Sequence, residues 1–403
     1  MLDVYYGEFT VSPVPLELSL NYCSHACAYC FANLNHPDRD TKIKDVMQLL
    51  THAHTRKGID AVLLREGFPV LISNRTDAFA NSNYKQALPL MRMLADMGVP
   101  MAIQTKGGRG IDEAMSFMQP SCWYISLAFE DDVMRQAIEP GAPSIHERLA
   151  LMEQLTKAGH TVYLGLNPLV PEWMPHPEKL LRRVKDAGVY GVWIELLHLN
   201  RNQVEAMTDK ERAAMTDNVL ARAQGKLAID EDQLRQDAFA YAREIGLETY
   251  CLRQTYPSRY WEPYRKLYAH TFPTHQDFVN WCHANKKDGD SVSFAEYKAV
   301  MMPGLPSGEH RIENYIRVPN RALFLKENIP AVMSYERLLR YAWNDARLWF
   351  APVRIGNFAY AGGGEFDKYG VSEFTYTDDN DDPYMIWDPS GNLDCAFVAA
   401  NPI

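Results

Sequence analysis

Three thiols, Cys23, Cys27 and Cys30, stand in the run Cys-Ser-His-Ala-Cys-Ala-Tyr-Cys, directly after the apolar stretch 16–20. No straight helix or strand can turn three residues at this spacing onto one metal site. A loop can, by wrapping them around one corner of a cubic iron–sulfur cluster. Three ligands leave the fourth iron open to chelate a substrate or cofactor, whereas a cluster held by four cysteines normally only carries electrons. Zinc is the alternative, with His25 or His36 as a fourth ligand, although structural zinc sites usually present two close pairs set apart, which this chain lacks. Disulfides fit poorly: seven cysteines cannot all pair, and the sequence does not open on a basic stretch followed by an apolar run. A reducing, cytoplasmic setting is expected.

The elements that must position this loop are legible from about residue 16 to 195. Short apolar runs at 16–20, 69–73, 100–104, 123–128, 161–166 and 189–196 read as six strands. Helical stretches lie between them, and three end alike at Gly98, Gly159 and Gly188, where a helix C-terminus favours a left-handed residue. The helix near 145–158 opens with Ser144 and Glu147, the spacing of a capping box. Alternating β and α units with near-continuous apolar strands predict an α/β fold, a partial (β/α)6 TIM-type barrel of parallel strands. In such barrels the loops at the C-terminal ends of the strands carry the chemistry, and the cysteine loop follows the first strand.

The 403 residues accommodate this barrel and more. Residues 1–249 are expected to form the barrel with its following helices, and 250–403 an aromatic-rich α+β extension, a lid or substrate-binding region; the latter holds 27 of the 46 aromatic residues. A net charge of −10 argues against a surface that is basic throughout, so nucleic-acid contact would need a local patch. No apolar run approaches a membrane span. The stretch 250–268 interleaves Arg253, Arg259, Arg265 and Lys266 with tyrosines and Trp261. Such a mixture stacks bases and holds phosphates, or equally forms a helix covering the barrel.

With Tyr29 before its last cysteine, the CxxxCxxC run resembles the signature of the radical S-adenosylmethionine (SAM) enzymes. Further local matches resemble their spore photoproduct lyase-like branch: Ser73-Asn74-Arg75-Thr76-Asp77 ending the second strand, Thr105-Lys106 the third, Ser126 in the fourth, then Glu139-Pro140-Gly141-Ala142-Pro143 and Arg148. The resemblance implies that Cys23, Cys27 and Cys30 ligate a 4Fe-4S cluster and that Thr76, Lys106 and Ser126 contact SAM. It implies one-electron cleavage of SAM to a 5'-deoxyadenosyl radical that abstracts hydrogen, with a reducing partner such as flavodoxin or ferredoxin. The substrate class it implies is a nucleobase or nucleotide, with a small molecule or peptide as the alternative. A zinc-binding or redox-sensing module is the reading from a different class.

The residue types suit SAM: Lys106 is a cation for its carboxylate, and hydroxyls can partner its ribose. Glu139 and Arg148 read equally well as a structural ion pair near a helix start and are not assigned as catalytic groups. The chain departs from photoproduct lyases in having no cysteine in the turn 73–77, where they place a hydrogen donor, so DNA repair does not carry over. Cys122, at the start of a strand, is expected in the core. Cys251, Cys282 and Cys395 are scattered through the extension.

Overall fold

The computed structural model describes residues 3–4, 12–20, 22–30, 43–199, 201–224, 231–302, 316–317, 332–346, 348, 351–361, 365–366, 372–373 and 377–393. Its centre is an eight-stranded sheet in sequence order: β1 (Asp3–Val4), β2 (Leu16–Leu18), β3 (Val70–Ile72), β4 (Met101–Thr105), β5 (Cys122–Ser126), β6 (Thr161–Leu169), β7 (Gly191–Leu196) and β8 (Glu248–Tyr250). β1 pairs antiparallel with β2, and every later pairing is parallel. The sheet is an open, partial barrel with seven parallel strands, one more than the six read from the sequence.

Period-two alternation divides the strand residues between two cores. Val70, Ile72, Met101, Ile103, Trp123, Ile125, Val162, Leu164, Val192 and Ile194 face outward into one cluster with the helices. Those helices include Tyr84–Asp96, Ile145–Lys157, Pro177–Asp186 and Glu231–Glu244. Ala102, Cys122, Tyr124, Tyr163 and Tyr250 face the other way, into a cluster completed by Tyr260, Trp261, Tyr264 and Tyr268. The helix stops work as expected: Gly98, Gly159 and Gly188 have φ of 71, 86 and 85°. Ser144 and Glu147 form both bonds of the capping box. Such a cap is worth about 1 kcal/mol.

The inward rings of residues 260–268 settle how that segment is used. The Tyr268 hydroxyl accepts from the Cys122 N–H and donates to the Met101 carbonyl, both at 2.9 Å, bridging the starts of β5 and β4. Tyr163 donates to the Tyr260 carbonyl at 3.0 Å. Arg259 and Arg265 pair with Glu248 and Asp277, and Lys266 with Glu262. From residue 259 on, the segment is therefore a plug in the N-terminal half of the barrel, not a base-stacking surface. Buried Cys122 belongs to it.

The chain beyond builds a further layer from helices His275–Asn285, Phe294–Met301 and Tyr335–Asn344 and the antiparallel strands Ser291–Val292, Phe358–Tyr360 and Met385–Trp387. Phe278, Tyr297, Trp343, Phe358 and Trp387 make its aromatic centre. It holds the loop after β8: Gln276 donates to the Tyr256 carbonyl at 2.9 Å and the Asn280 amide to the Ser258 carbonyl at 2.8 Å. No described helix is long and apolar enough to cross a membrane.

Candidate active site

The cysteine loop leaves β2 and docks on the turn that follows helix Asp132–Ile138. Ala28 N–H donates to the Ile138 carbonyl at 2.9 Å, and Gly141 N–H to the His25 carbonyl at 3.0 Å. The contact is too close for a side chain: a Cβ on Gly141 would stand 2.0 Å from the Ser24 carbonyl oxygen. Ser24 and Ser82 exchange backbone-to-hydroxyl bonds at 3.1 and 3.2 Å, tying the loop to the segment after β3. Ala26 turns the chain in the left-handed region, φ 51°. Such a conformation in a non-glycine residue costs energy that the surrounding contacts must hold.

His25 acts as a strut. Its Nδ1 faces the Gly141 carbonyl and its Nε2 the Asp77 carboxylate, each at 3.0 Å, so neither ring nitrogen is free to ligate zinc. His36, the other zinc candidate, lies outside the described residues. Asp77, in the turn after β3, is a hub. It accepts from the Thr105 hydroxyl at 2.8 and 2.9 Å, from Lys106 N–H at 2.7 Å and from Phe79 N–H at 3.0 Å. Burial opposes its ionisation, but His25 and the two backbone donors outweigh burial and hold the carboxyl below its ordinary value. Thr76 beside it donates to the Leu20 carbonyl at 2.6 Å, fastening the start of the cysteine loop. The turn is anchored again at Glu17, which accepts from Ser19 at 2.5 Å and Asn74 at 3.0 Å.

Cys27 is buried, Cys23 and Cys30 are half-buried, and all three are free of disulfides. Burial, then the Asp77 charge, pushes Cys23 up to about 11. Cys27 is held well above its ordinary value, first by burial and also by Glu139 and the other two thiols, with Lys106 acting against them. The thiols thus share one patch. Among the described residues, however, no three His, Cys, Asp or Glu side chains are gathered to a single metal-binding point. The donor set itself, three sulfurs on one loop with no available imidazole from His25, is soft and suits iron–sulfur chemistry. Binding would displace the thiol protons and draw the loop together.

Beneath Cys27 lies a buried charge network. Lys106 Nζ stands 2.9 Å from the Ser126 hydroxyl, 3.1 Å from the Tyr29 hydroxyl and 3.1 Å from a Glu139 carboxylate oxygen. Glu139 also binds Arg148 and the Tyr29 hydroxyl. Arg148 spends its other donors on the Ser126 carbonyl at 2.9 Å and the Pro143 carbonyl at 3.0 Å. Burial works against the Glu139 charge, but Lys106 and Arg148 prevail and bring its carboxyl to about 2. Lys106 is in turn raised: burial lowers it, and Glu139 and Cys27 more than compensate. Two cations against one carboxylate leave a surplus positive charge beside Cys27.

Lys106 and Ser126 therefore meet directly, with Thr76 at the neighbouring strand end, its hydroxyl engaged by backbone. A structural ion pair was one of the open sequence readings for Glu139 and Arg148, and the two side chains form it. It did not find that Tyr29 and Glu139 join Lys106, nor that Asp77 links β3, β4 and His25. The only signal was the position of each at a strand end or turn.

Helices Arg201–Ala206, Asp209–Ala214 and Asp217–Ala223 cover the loop from outside, in a core shared by Ala28, Phe129, Trp173, Leu199, Met215 and Leu220. A cleft of about 240 Å³ remains between them, reaching Tyr29 and Cys30 and lined by Gln203, Met207 and Glu211. Across the inner face, Gly165 on β6 admits the Tyr124 ring: a Cβ there would stand 2.1 Å from it. Tyr124 lies within electrostatic reach of both Lys106 and Glu195, with Asn167 beside its hydroxyl. Cys251 and Cys282 are buried, and Cys395 lies outside the described residues.

No family model matches the chain. An uncharacterized protein of Mycobacterium tuberculosis is 30% identical over 198 residues, 44% of this chain and 56% of that protein. The chain thus spans about half the length of the curated mycobacterial relatives it matches. An uncharacterized protein of Acidianus two-tailed virus is 23% identical over 247 residues, 51% of this chain and 82% of its own. Among solved structures, spore photoproduct lyase complexed with dinucleoside spore photoproduct matches at TM-score 0.41 and 13% identity, covering 62% of this chain and 79% of that one. Streptococcus suis SuiB bound to S-adenosylmethionine matches at TM-score 0.32 and 16% identity, covering 45% and 39%.

Proposed function

We propose that this chain is a radical SAM enzyme in which Cys23, Cys27 and Cys30 hold a 4Fe-4S cluster at the C-terminal mouth of the partial barrel. The observation that carries the reading is the cationic network set under Cys27, on the loop whose spacing leaves one iron open. When bound and reduced, the cluster would supply one electron to cleave SAM and start hydrogen abstraction. The chain's own residues hold and orient. His25 and Gly141 fix the loop, and Lys106 with Arg148 offsets thiolate charge. Ser126 offers SAM a hydroxyl only if it gives up its bond from Lys106, and Lys106 can meet a carboxylate only by sharing itself with Glu139. Thr76 acts as a positioning residue through Leu20. The aromatic plug closes the barrel below, which keeps water from the chamber.

The substrate proposed on the sequence resemblance is a nucleobase or nucleotide-like molecule, and the electron donor a flavodoxin or ferredoxin. The deciding experiment is anaerobic reconstitution followed by iron and sulfide analysis, then assay of the dithionite-reduced protein with SAM for 5'-deoxyadenosine. Iron, sulfide and deoxyadenosine are expected in the parent and absent from a Cys23→Ala/Cys27→Ala/Cys30→Ala variant. Zinc without iron, or identical behaviour of parent and variant, would overturn the reading.

A further inference from the structure

Alternation along the strands names the side chains that face the barrel interior above its ring-lined floor. Ile103, Leu166 and Ile194 point outward and are fully buried, while their neighbours on the inner face, Gln104, Asn167 and Trp193, are half-buried. Side chains that face inward yet keep solvent exposure mark open space inside the barrel. Gln104 on β4 pairs in register with Tyr124 on β5, which sets the two side chains next to each other on adjacent strands. The Tyr124 ring takes the space that a Gly165 side chain would fill and meets the Trp193 ring edge-on, with centroids 6.1 Å apart. Gln104, Tyr124 and Trp193 thus form one band across four strands. Bonds tie it to the cysteine side: Ser126, two residues after Tyr124 on the same face, accepts from Lys106 Nζ at 2.9 Å. The Gln104 carboxamide makes no hydrogen bond among the described residues, and the Trp193 indole N–H is buried without an acceptor. The charges nearby are engaged, Lys106 and Arg148 with Glu139, and Glu195, two residues beyond Trp193, with Leu252 N–H at 2.5 Å. Buried donors are normally satisfied, a carboxamide carries a donor beside an acceptor, and flat groups pack well on aromatic rings.

We propose that Gln104, with the Tyr124 and Trp193 rings, forms a substrate subsite for an uncharged planar group that presents a hydrogen-bond donor beside an acceptor, as an amide or a lactam does. The proposal rests on reading this interior as the reaction chamber of the enzyme proposed above. Gln104 reads the edge of the group, and the rings take its face. A charged group would shed its water here with no free opposite charge to receive it, which is costly. Gln104 stands two residues before Lys106 on the same face of β4, so a group bound to it is held beside the network under Cys27.

The test is binding of four small probes to the full chain, followed by ligand NMR line broadening, with and without cluster reconstitution: benzamide, 2-pyridone, benzoate and benzylamine. At least one of the two neutral probes is expected to bind, and the anion and the cation to bind about tenfold more weakly or not at all. Preference for benzamide or for 2-pyridone assigns the group as a pendant amide or a ring lactam. Gln104→Leu should weaken the neutral probe by about threefold to tenfold, the worth of a neutral hydrogen bond. Its thermal unfolding should match that of the parent, because the side chain bonds nothing in the fold. Gln104→Glu keeps the size of the side chain and should turn the preference toward benzylamine, a change that a merely structural role would not produce. Failure of both neutral probes to bind the parent, equal binding by Gln104→Leu, or unchanged selectivity in Gln104→Glu overturns the subsite. Because the measurement needs no SAM cleavage, its failure is distinct from failure of the deoxyadenosine assay.

Discussion

Glu139→Gln isolates the electrostatic part of the network under Cys27. Glutamine keeps the size of the side chain and an oxygen for Arg148 but removes the charge between two buried cations. With the carboxyl brought from 4.5 to about 2, the ionised group contributes roughly 3 kcal/mol at neutral pH. The sign follows from the direction of the shift. A depressed carboxyl contributes its full stability above the unfolded value near 4.5 and loses it as pH falls through the folded value near 2. Loss of the charge also strands Lys106, whose burial then favours the neutral amine. Urea unfolding of parent and variant, followed by tryptophan fluorescence, should show a neutral-pH gap of about 3 kcal/mol, within the range for breaking a buried pair. The gap should narrow as pH falls from 4.5 toward 2. A variant as stable as the parent at neutral pH, or a gap indifferent to acid, would refute the reasoning.

Three further changes probe the scaffold. Gly141→Ala sets a Cβ 2.0 Å from the Ser24 carbonyl and should displace the cysteine loop, costing about 1–3 kcal/mol and most of the iron retained after reconstitution, read as iron per chain. Tyr268→Phe leaves the Cys122 N–H and the Met101 carbonyl without their shared partner, and a loss of about 1–3 kcal/mol is expected in thermal or urea unfolding. Gly165→Ala drives a methyl into the Tyr124 ring, and near-ultraviolet circular dichroism should register the displaced aromatic while far-ultraviolet signal persists.

Much of the barrel was legible because its strands are apolar runs closed off by glycine-ended helices. The seventh parallel strand, Glu248–Tyr250, was not. It is only Glu-Thr-Tyr, too short and polar to stand out, and it exists through pairing with β7. Yet Gly246, at φ 76°, repeats the helix stop of Gly98 and Gly188 and was the available cue. The rings at Tyr260, Tyr264 and Tyr268 recur at helical spacing, so one buried face was also readable. Which surface it covered depended on Tyr268 reaching β4 and β5 far away in sequence. The cysteine spacing and the strand-end positions of Thr76, Lys106 and Ser126 were visible as types. Their partners were not, because Asp77, Glu139 and His25 meet only when three separate loops fold onto one mouth.

The inner face is divided along the strands, and the division has a functional consequence. Its lower part is rings, Tyr124 and Tyr163 among them, sealed by Tyr260, Trp261, Tyr264 and Tyr268; its upper end carries Ser126, bonded by Lys106, and Glu195. A ligand entering from the mouth meets a closed floor and two rims of opposite construction. One is a loop of thiols backed by paired charge, and the other holds the buried Glu195 carboxylate, which accepts from Leu252 N–H at 2.5 Å. Alternation explains why both fit on one sheet. Residues two apart share the inner face, so Trp193 belongs to the floor while Glu195 belongs to the rim. Substitutions in the floor should therefore move stability first, whereas substitutions of exposed side chains on the cysteine rim should move metal content at little cost to the fold.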